Sequence, residues 1–182
     1  MINIDTIDNV DISYPHGPIE FAYKGAADIL YKEFLRLTKP GGFLSDLDEG
    51  LIYPILYLYR HSIELILKSI LNSFPIYELV KGHNLEYLWE EIINILSSKY
   101  PRESFAINFN EVSMLIKYLN ELDPDSQHFR YLKDSKGNAF KFNNKELDLN
   151  LYRKNIKTLV HELYTLSDNL YEAYLISIGV EN

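Results

Sequence analysis

The chain of 182 residues is long enough for one domain with a substantial hydrophobic core. Hydrophobic residues make up 47% of it and charged residues 24%, as in ordinary globular proteins. The absence of Cys excludes disulfides, thiolate zinc sites and Cys nucleophiles, and the net charge of -8 argues against general coating of nucleic acid.

The N-terminal sequence and the distribution of charge predict a cytoplasmic protein. Residues 1–15 are acidic and lack the basic segment and apolar run of a signal peptide. No stretch of about 18 residues is free of charge, so we expect no membrane span. We interpret residues 1–182 as a single domain that begins with an N-terminal arm at 1–17.

The first predicted helix follows this arm. Pro18 suits its first position, because proline lacks the N–H that would find no partner there. The Pro-Gly-Gly run at 40–42 ends the helix. Its apolar stripe consists of Ala22, Ala26, Ile29, Phe34 and Leu37.

The central predicted helix, at 51–71, is apolar over most of its circumference, which indicates a buried helix. An acidic cluster at 45–49 precedes it and suits a helix N-terminus. The helix begins either at Asp46, with a kink at Pro54, or near Tyr53. At about 100° per residue, its polar side chains fall on one narrow stripe. The stripe consists of Tyr53, Tyr57, Arg60, His61, Glu64 and Lys68.

This polar stripe has two interpretations. It is either a solvated edge with ordinary ion pairs one turn apart, or a set of charges that lines a cleft or forms an internal network. Because the helix has almost no other polar face, we predict that Arg60, Glu64 and Lys68 are substantially buried. We also predict that Arg130 or Tyr131 reaches them.

Two shorter helices follow. Asn84 is a candidate N-cap for the first, which ends before Pro101. Asn108 and Glu111 form a candidate capping pair for the second. The Asp-Pro-Asp-Ser run at 123–126 then breaks the helical pattern.

The remainder of the chain contains a turn and a long helix. Residues 131–133 and 139–142 can pair as a small hairpin around the turn at 134–138. The last helix spans about 150–178. These elements predict an all-α fold, an up-and-down helical bundle with a short irregular or hairpin insertion before the last long helix. The apolar seam of that helix consists of Tyr152, Ile156, Leu159, Leu163, Leu166, Leu170 and Tyr174.

Basic residues are concentrated between 130 and 157. This segment has eight basic and three acidic residues within an acidic protein, which favours a phosphate-bearing ligand. The alternative is a mixed-charge loop. The basic residues are Arg130, Lys133, Lys136, Lys141, Lys145, Arg153, Lys154 and Lys157.

Three short motifs resemble one group of small bacterial helical proteins. The first is Tyr-Arg-His at 59–61 with Glu-Leu at 64–65 and Lys68, which is similar to the RHxxELxLK run of that group. The second is Gly-His-Asn-Leu at 82–85 with Leu-Trp at 88–89. The third is Asp-Pro at 123–124 with Ser126 and Phe-Arg-Tyr at 129–131. The group resembles the HEPN (higher eukaryotes and prokaryotes nucleotide-binding) superfamily.

The resemblance implies a helical bundle, often dimeric, of toxin–antitoxin and antiphage systems, in which many members cleave RNA without a metal. The usual motif of the superfamily is an Arg, four to six residues, and a His on the last bundle helix. The nearest pairs here are Arg153 and His161, with seven residues between them, and Lys154 and His161, with six. No Arg of this chain has a His at the usual spacing.

Two sets of side chains could supply the chemistry of RNA cleavage. Attack by the RNA 2′-hydroxyl needs a group that accepts its proton, for which His is suited, and a cation that holds the phosphate. The first set lies on one face of the last helix, and its alternative interpretation is an exposed basic helix end. The second set contains the central stripe, and its alternative interpretation is a buried ion network that fixes helix register. The first set is Lys154, Lys157 and His161, with Arg153 beside them; the second is Arg60, His61, Glu64 and Lys68, with His83, His128, Arg130 and Tyr131.

Two classes of function follow. The first is a HEPN-like RNA-directed protein, either a metal-independent endoribonuclease or an RNA- or nucleotide-binding module, in a bacterial antiphage-defence or toxin–antitoxin system. The second is a non-catalytic helical interaction subunit that pairs with a larger effector. In both cases we expect a homodimer, or a hetero-oligomer with an effector or antitoxin. We expect no metal and no cofactor, because paired Glu-x-x-His motifs and Gly-rich phosphate loops are absent from the sequence.

Overall fold

The computed structural model describes residues 18–38, 50–74, 81–99, 105–131, 133, 136–137 and 147–177. Within this part of the chain all regular secondary structure is α-helical, which confirms the predicted all-α fold. The helices are α1 (Ile19–Leu37), α2 (Ile52–Asn72), α3 (Leu85–Lys99), α4 (Phe109–Leu122) and α5 (Leu149–Ser177).

The helix starts follow from local capping chemistry. Helix α2 begins at Ile52, which places Pro54 in its first turn, where a missing N–H breaks no helical hydrogen bond. The side chain of Asn84 accepts a hydrogen bond from the amide of Tyr87 at 2.8 Å. Asn108 accepts one from the amide of Glu111 at 3.1 Å, so both predicted caps are confirmed.

Helix α2 is the centre of the bundle. It packs against α1 on one side and against α3 and α5 on others. Its apolar residues are buried, as the near-continuous hydrophobic pattern predicted. Fully buried members of its face include Ile55, Ile63, Leu67 and Leu71.

The apolar seam of α5 belongs to the core of this same chain. Its residues from Tyr152 to Leu170 pack with side chains of the other helices in one hydrophobic cluster. The hydroxyl of Tyr152 donates to the carbonyl oxygen of Leu56 at 3.1 Å, and burial raises the pKa of that hydroxyl. The seam is therefore occupied within the chain, and it gives no support for pairing between chains.

Several predicted features lie outside the described residues. These are the N-terminal arm, the acidic cluster at 45–49 and the second strand of the predicted hairpin, at 139–142. The alternative start of the central helix at Asp46 lies there as well. None of the helices in the described ranges is both long enough and apolar enough to cross a bilayer.

Candidate functional site

A buried ion pair joins two residues of the central stripe. Arg60 is 0% exposed and Glu64 is 1% exposed, and the Arg60 Nη1 atom lies 3.0 Å from the Glu64 Oε2 atom. The predicted burial of these two residues is therefore confirmed. Lys68 is also partly buried, with 21% of its side chain exposed.

Arg60 connects α2 to two loops. Its Nε atom donates to the carbonyl oxygen of Asp123 at 2.8 Å, and its Nη2 atom donates to the carbonyl oxygen of His83 at 2.6 Å. The Asp123 carboxylate also lies 3.6 Å from Arg60 Nε. Because Arg60 is fully buried, it fixes the loops before α3 and after α4 and does not present its charge to a ligand.

The loop after α4 is held by Asp123 and its neighbours. The Asp123 carboxylate accepts a hydrogen bond from the amide of His128 at 2.9 Å, and the His128 ring faces the carbonyl oxygen of Leu122 at 3.3 Å. Ser126 has a φ of 62°, which is unusual for a residue other than Gly. This turn directs the segment that follows, Arg130 and Tyr131, toward α2.

Three partly exposed side chains also lie around the Glu64 carboxylate, and we call them the Glu64 cluster: His61, Lys68 and His83. Its Oε1 atom lies 2.8 Å from Lys68 Nζ and 2.8 Å from His83 Nδ1. Its Oε2 atom lies 4.0 Å from His61 Nδ1, too far for a hydrogen bond. Burial alone would raise the pKa of Glu64, but the nearby side chains of His61, Lys68 and His83 outweigh it and hold that pKa well below its ordinary value.

The ionised carboxylate fixes the orientation and tautomer of His83. Since Glu64 can only accept hydrogen bonds, the proton on the His83 ring belongs on Nδ1. The Nε2 atom is then the nitrogen that can accept a proton, and 51% of the His83 side chain is exposed. A carboxylate that orients a histidine in this way is a common arrangement for general base catalysis.

Aromatic and cationic side chains lie beside this cluster. The ring of His61 stacks on Tyr57, with centroids 5.4 Å apart, and meets the ring of Tyr23 edge-on at 4.6 Å. The guanidinium of Arg130 lies 5.4 Å from the ring centroid of Tyr57 and 5.3 Å from that of Tyr131. Arg130 thus reaches α2 at Tyr57, whereas the direct contact with Arg60 comes from Asp123.

A second polar cluster, absent from the sequence predictions, joins α1, α2 and α5. The Asp28 carboxylate lies 2.8 Å from Arg153 Nη2 and 2.8 Å from Lys24 Nζ, and it accepts a hydrogen bond from the Tyr59 hydroxyl at 2.7 Å. Burial opposes ionisation of Asp28, but these three partners outweigh it and lower its pKa to about 2. The spacing of Lys24 and Asp28, one helical turn, was the available sequence signal.

The candidate residues on α5 have two different environments in the structure. Arg153 points its guanidinium at Asp28 and Tyr59 and is only partly exposed. Lys154, Lys157 and His161 lie on the exposed face of the helix. Within the described ranges, none of these three forms an ion pair or side-chain hydrogen bond with the Glu64 cluster.

Acid is expected to weaken the junction at Asp28. Because the pKa of Asp28 falls from 3.8 to about 2 on folding, the unfolded chain binds more protons between these values. The stabilisation is complete above about pH 5 and is lost as the pH falls through the folded pKa. We therefore expect Asp28→Asn to show a smaller fall in Tm than the wild type between about pH 5 and pH 2 in differential scanning calorimetry. Equal falls in the two proteins would contradict this role.

The fold and the cluster together define the class of the protein, an all-α helical bundle with a buried Arg–Glu–Asp network at its centre. Within the described residues, no group of three or more His, Asp or Glu side chains is arranged to hold a metal ion. Comparisons with models of known families, with curated proteins and with solved structures found no match.

Proposed function

We propose that this chain is a HEPN-like RNA-directed protein, a metal-independent endoribonuclease that works in the cytoplasm in a bacterial antiphage-defence or toxin–antitoxin system. One observation carries the proposal: a single buried carboxylate, Glu64, holds His83 and Lys68 at 2.8 Å, and both reach the surface. Such a site has a proton acceptor and a phosphate-binding cation side by side.

The convergence of the three resembling motifs supports the same site. Arg60 of the first motif donates to the backbone of His83 in the second and of Asp123 in the third. The segments that carry the resemblance are therefore joined around one buried guanidinium. A cluster assembled from three separate segments is an arrangement typical of a functional site built on a rigid scaffold.

The chemistry assigned to this cluster is cleavage by the RNA's own 2′-hydroxyl. His83 Nε2 takes the proton of that hydroxyl as its oxygen attacks phosphorus, and the bond from phosphorus to the 5′-oxygen breaks. The leaving oxygen takes a proton from water, which gives a 2′,3′-cyclic phosphate and a 5′-hydroxyl. Lys68 stabilises the charge on the phosphate oxygens, and Glu64 stabilises the imidazolium of His83.

Incubation of the purified chain with total RNA in the presence of EDTA tests this proposal. We expect cleavage to continue under these conditions and to leave 2′,3′-cyclic phosphate ends. The same preparation of His83→Ala controls for a contaminating nuclease. Intact RNA after incubation with the folded wild type would contradict the endoribonuclease assignment.

The second candidate, a non-catalytic interaction subunit, is favoured by the surface of α1. Four large apolar residues of this helix have between 43% and 67% of their surface exposed, and a partner that buries them removes apolar surface from water. The four residues are Ile19, Phe21, Ile29 and Leu35. This candidate would be favoured if the purified chain does not cleave RNA and recovers a stoichiometric partner protein from the source cell.

Self-association is part of the proposal. We expect the purified chain to form a two-fold homodimer, because exposed apolar residues on α1 gain from burial and the resembled proteins are often dimeric. Light scattering should give twice the chain mass of 21.3 kDa. A monomeric mass at high concentration, without any partner present, would contradict self-association.

A further inference from the structure

An aromatic, cation-bearing surface lies next to the Glu64 cluster. Tyr53, Tyr57 and His61 follow one another at intervals of one helical turn along α2, so they share one face of the helix. Arg130 and Tyr131 approach this face from the loop after α4. We call these five residues the Tyr57 surface.

Planar side chains at the two ends of this surface suit planar ligands, and the stacked groups between them hold those ends in place. The rings of Tyr57 and His61 are within 14° of parallel, and the Arg130 guanidinium lies over both Tyr57 and Tyr131. A hydrogen bond from Arg130 Nε to the carbonyl oxygen of Ser126 fixes the position of that guanidinium. Tyr53 is 43% exposed and Tyr131 is 54% exposed, so planar side chains remain open to solvent at both ends of the surface.

His61 connects the Tyr57 surface to the proposed catalytic cluster. Its ring stacks on Tyr57, and its Nδ1 atom lies 4.0 Å from Glu64 Oε2. A nucleotide whose base lies on this surface would therefore have its backbone close to the cations around Glu64. Such proximity holds the reacting phosphodiester and its neighbouring 2′-hydroxyl near His83, which accepts the proton of that hydroxyl.

The charge around the surface favours a nucleic acid over a protein chain as its ligand. Arg130 is exposed, and the exposed Lys133 and Lys136 follow it in sequence. Aromatic side chains interleaved with cations are the common means by which proteins bind single strands, because bases stack on the rings while the cations neutralise phosphates. Bases also stack on guanidinium planes.

We propose that the Tyr57 surface binds unpaired bases of single-stranded RNA and thereby selects the substrate of the neighbouring Glu64 cluster. This inference rests on the proposed function for the identity of the nucleic acid. A double helix is a poor ligand for such a surface, since its bases are already stacked and the major groove of A-form RNA is too narrow for side chains to enter. The substrate class is therefore RNA with exposed, unpaired bases.

Binding can be measured without cleavage by use of 2′-O-methyl RNA, which has no hydroxyl to attack the phosphate. A fluorescent probe of about 12 nucleotides is compared in three forms by fluorescence anisotropy. The forms are a single strand, the same strand paired with its complement, and a strand with abasic sites in place of the bases. We expect the single strand to bind the wild-type chain about tenfold or more tighter than either other form.

Substitutions then locate the binding surface. We expect Tyr131→Ala to weaken binding of the single strand by about 5- to 150-fold, the range for loss of one base stack, and Tyr131→Phe to bind as the wild type does. Arg130→Lys keeps the charge but removes the planar guanidinium on which a base can stack, so it should also weaken binding. The matched control is Tyr171→Ala, which removes a tyrosine that is 63% exposed on α5.

The results separate this inference from the proposed function. The inference that the Tyr57 surface binds bases is overturned if the abasic probe binds as tightly as the single strand, even if the wild type cleaves RNA. It is also overturned if Tyr131→Ala and Arg130→Lys bind the single strand as tightly as the wild type does. Specific binding of the single strand by a chain that cleaves nothing supports the surface and overturns the nuclease assignment. A wild type that binds none of the three probes overturns the inference, and a protein partner released by Tyr131→Ala would then be the occupant.

Discussion

Replacing Glu64 with Ala is expected to lower the free energy of unfolding by about 3–5 kcal/mol. The substitution removes the nearer of the two carboxylates that face Arg60 and leaves only Asp123, 3.6 Å from Arg60 Nε. Arg60 is 0% exposed and cannot turn to water. The carbonyl oxygens of Asp123 and His83 still accept hydrogen bonds from it, but they do not neutralise its charge. The cost is therefore that of a buried cation left with only its longer ion pair, to Asp123.

Urea unfolding followed by helical circular dichroism measures this loss. Lys68→Ala is the matched control, because it removes the partly exposed partner of the same carboxylate, and we expect it to cost about 1 kcal/mol or less. The loss in free energy of unfolding for Glu64→Gln should lie between those of Glu64→Ala and Lys68→Ala, since Gln keeps the shape of the side chain and removes the charge. A loss below about 1 kcal/mol for Glu64→Ala would contradict this role of Glu64, because Arg60 would then be compensated by solvent or by Asp123 alone.

The part of this network that lies on α2 could be predicted from the sequence. A helix that is apolar over most of its circumference must bury whatever polar side chains it carries, and Arg60 and Glu64 are one turn apart. Local signals were also sufficient for the helix caps at Asn84 and Asn108, because a cap depends on residues only three positions away.

Contacts between distant segments could not be predicted in the same way. The acceptors of Arg60 include backbone carbonyl oxygens, and every residue has one, so the sequence has no signal for which loop supplies them. The pair Asp28 and Arg153 is separated by 125 positions and depends on the packing of α1 against the start of α5. The sequence therefore indicates a phosphate ligand in Arg153, whereas the fold pairs it with the carboxylate of Asp28.

The choice between the two candidate sites also depends on contacts between distant segments. From spacing alone, the basic face of α5 places His161, and the stripe of α2 places His61, within reach of a cation, with His83 as a further residue from the loop before α3. The structure distinguishes them by environment: His83 donates to a buried carboxylate, whereas His161 lies on an exposed surface. A histidine held by a carboxylate has a fixed tautomer and orientation, and both are needed for proton transfer.

Replacing His83 with Ala is accordingly expected to lower the rate of RNA cleavage by about two to four decades, the usual contribution of a general acid–base group. The fold should remain intact, because the His83 side chain is half exposed and the contact of this loop with Arg60 uses the backbone carbonyl oxygen. His83→Asn is the matched variant, since its amide can still donate to Glu64 but cannot accept a proton. Single-turnover cleavage with circular dichroism of each variant provides the measurement.

His161→Ala separates the Glu64 cluster from the alternative on α5. If the cluster is the working site, His161→Ala should cleave at the wild-type rate to within about twofold, and Arg60→Ala should chiefly destabilise the fold. A loss of two or more decades in a folded His161→Ala, with His83→Ala active, would instead assign the chemistry to the Lys154–His161 face. That result would show that a relaxed form of the superfamily motif is sufficient, with Lys154 as the cation in place of the usual Arg. If both variants cleave normally, both assignments are wrong, because neither histidine then takes part in proton transfer.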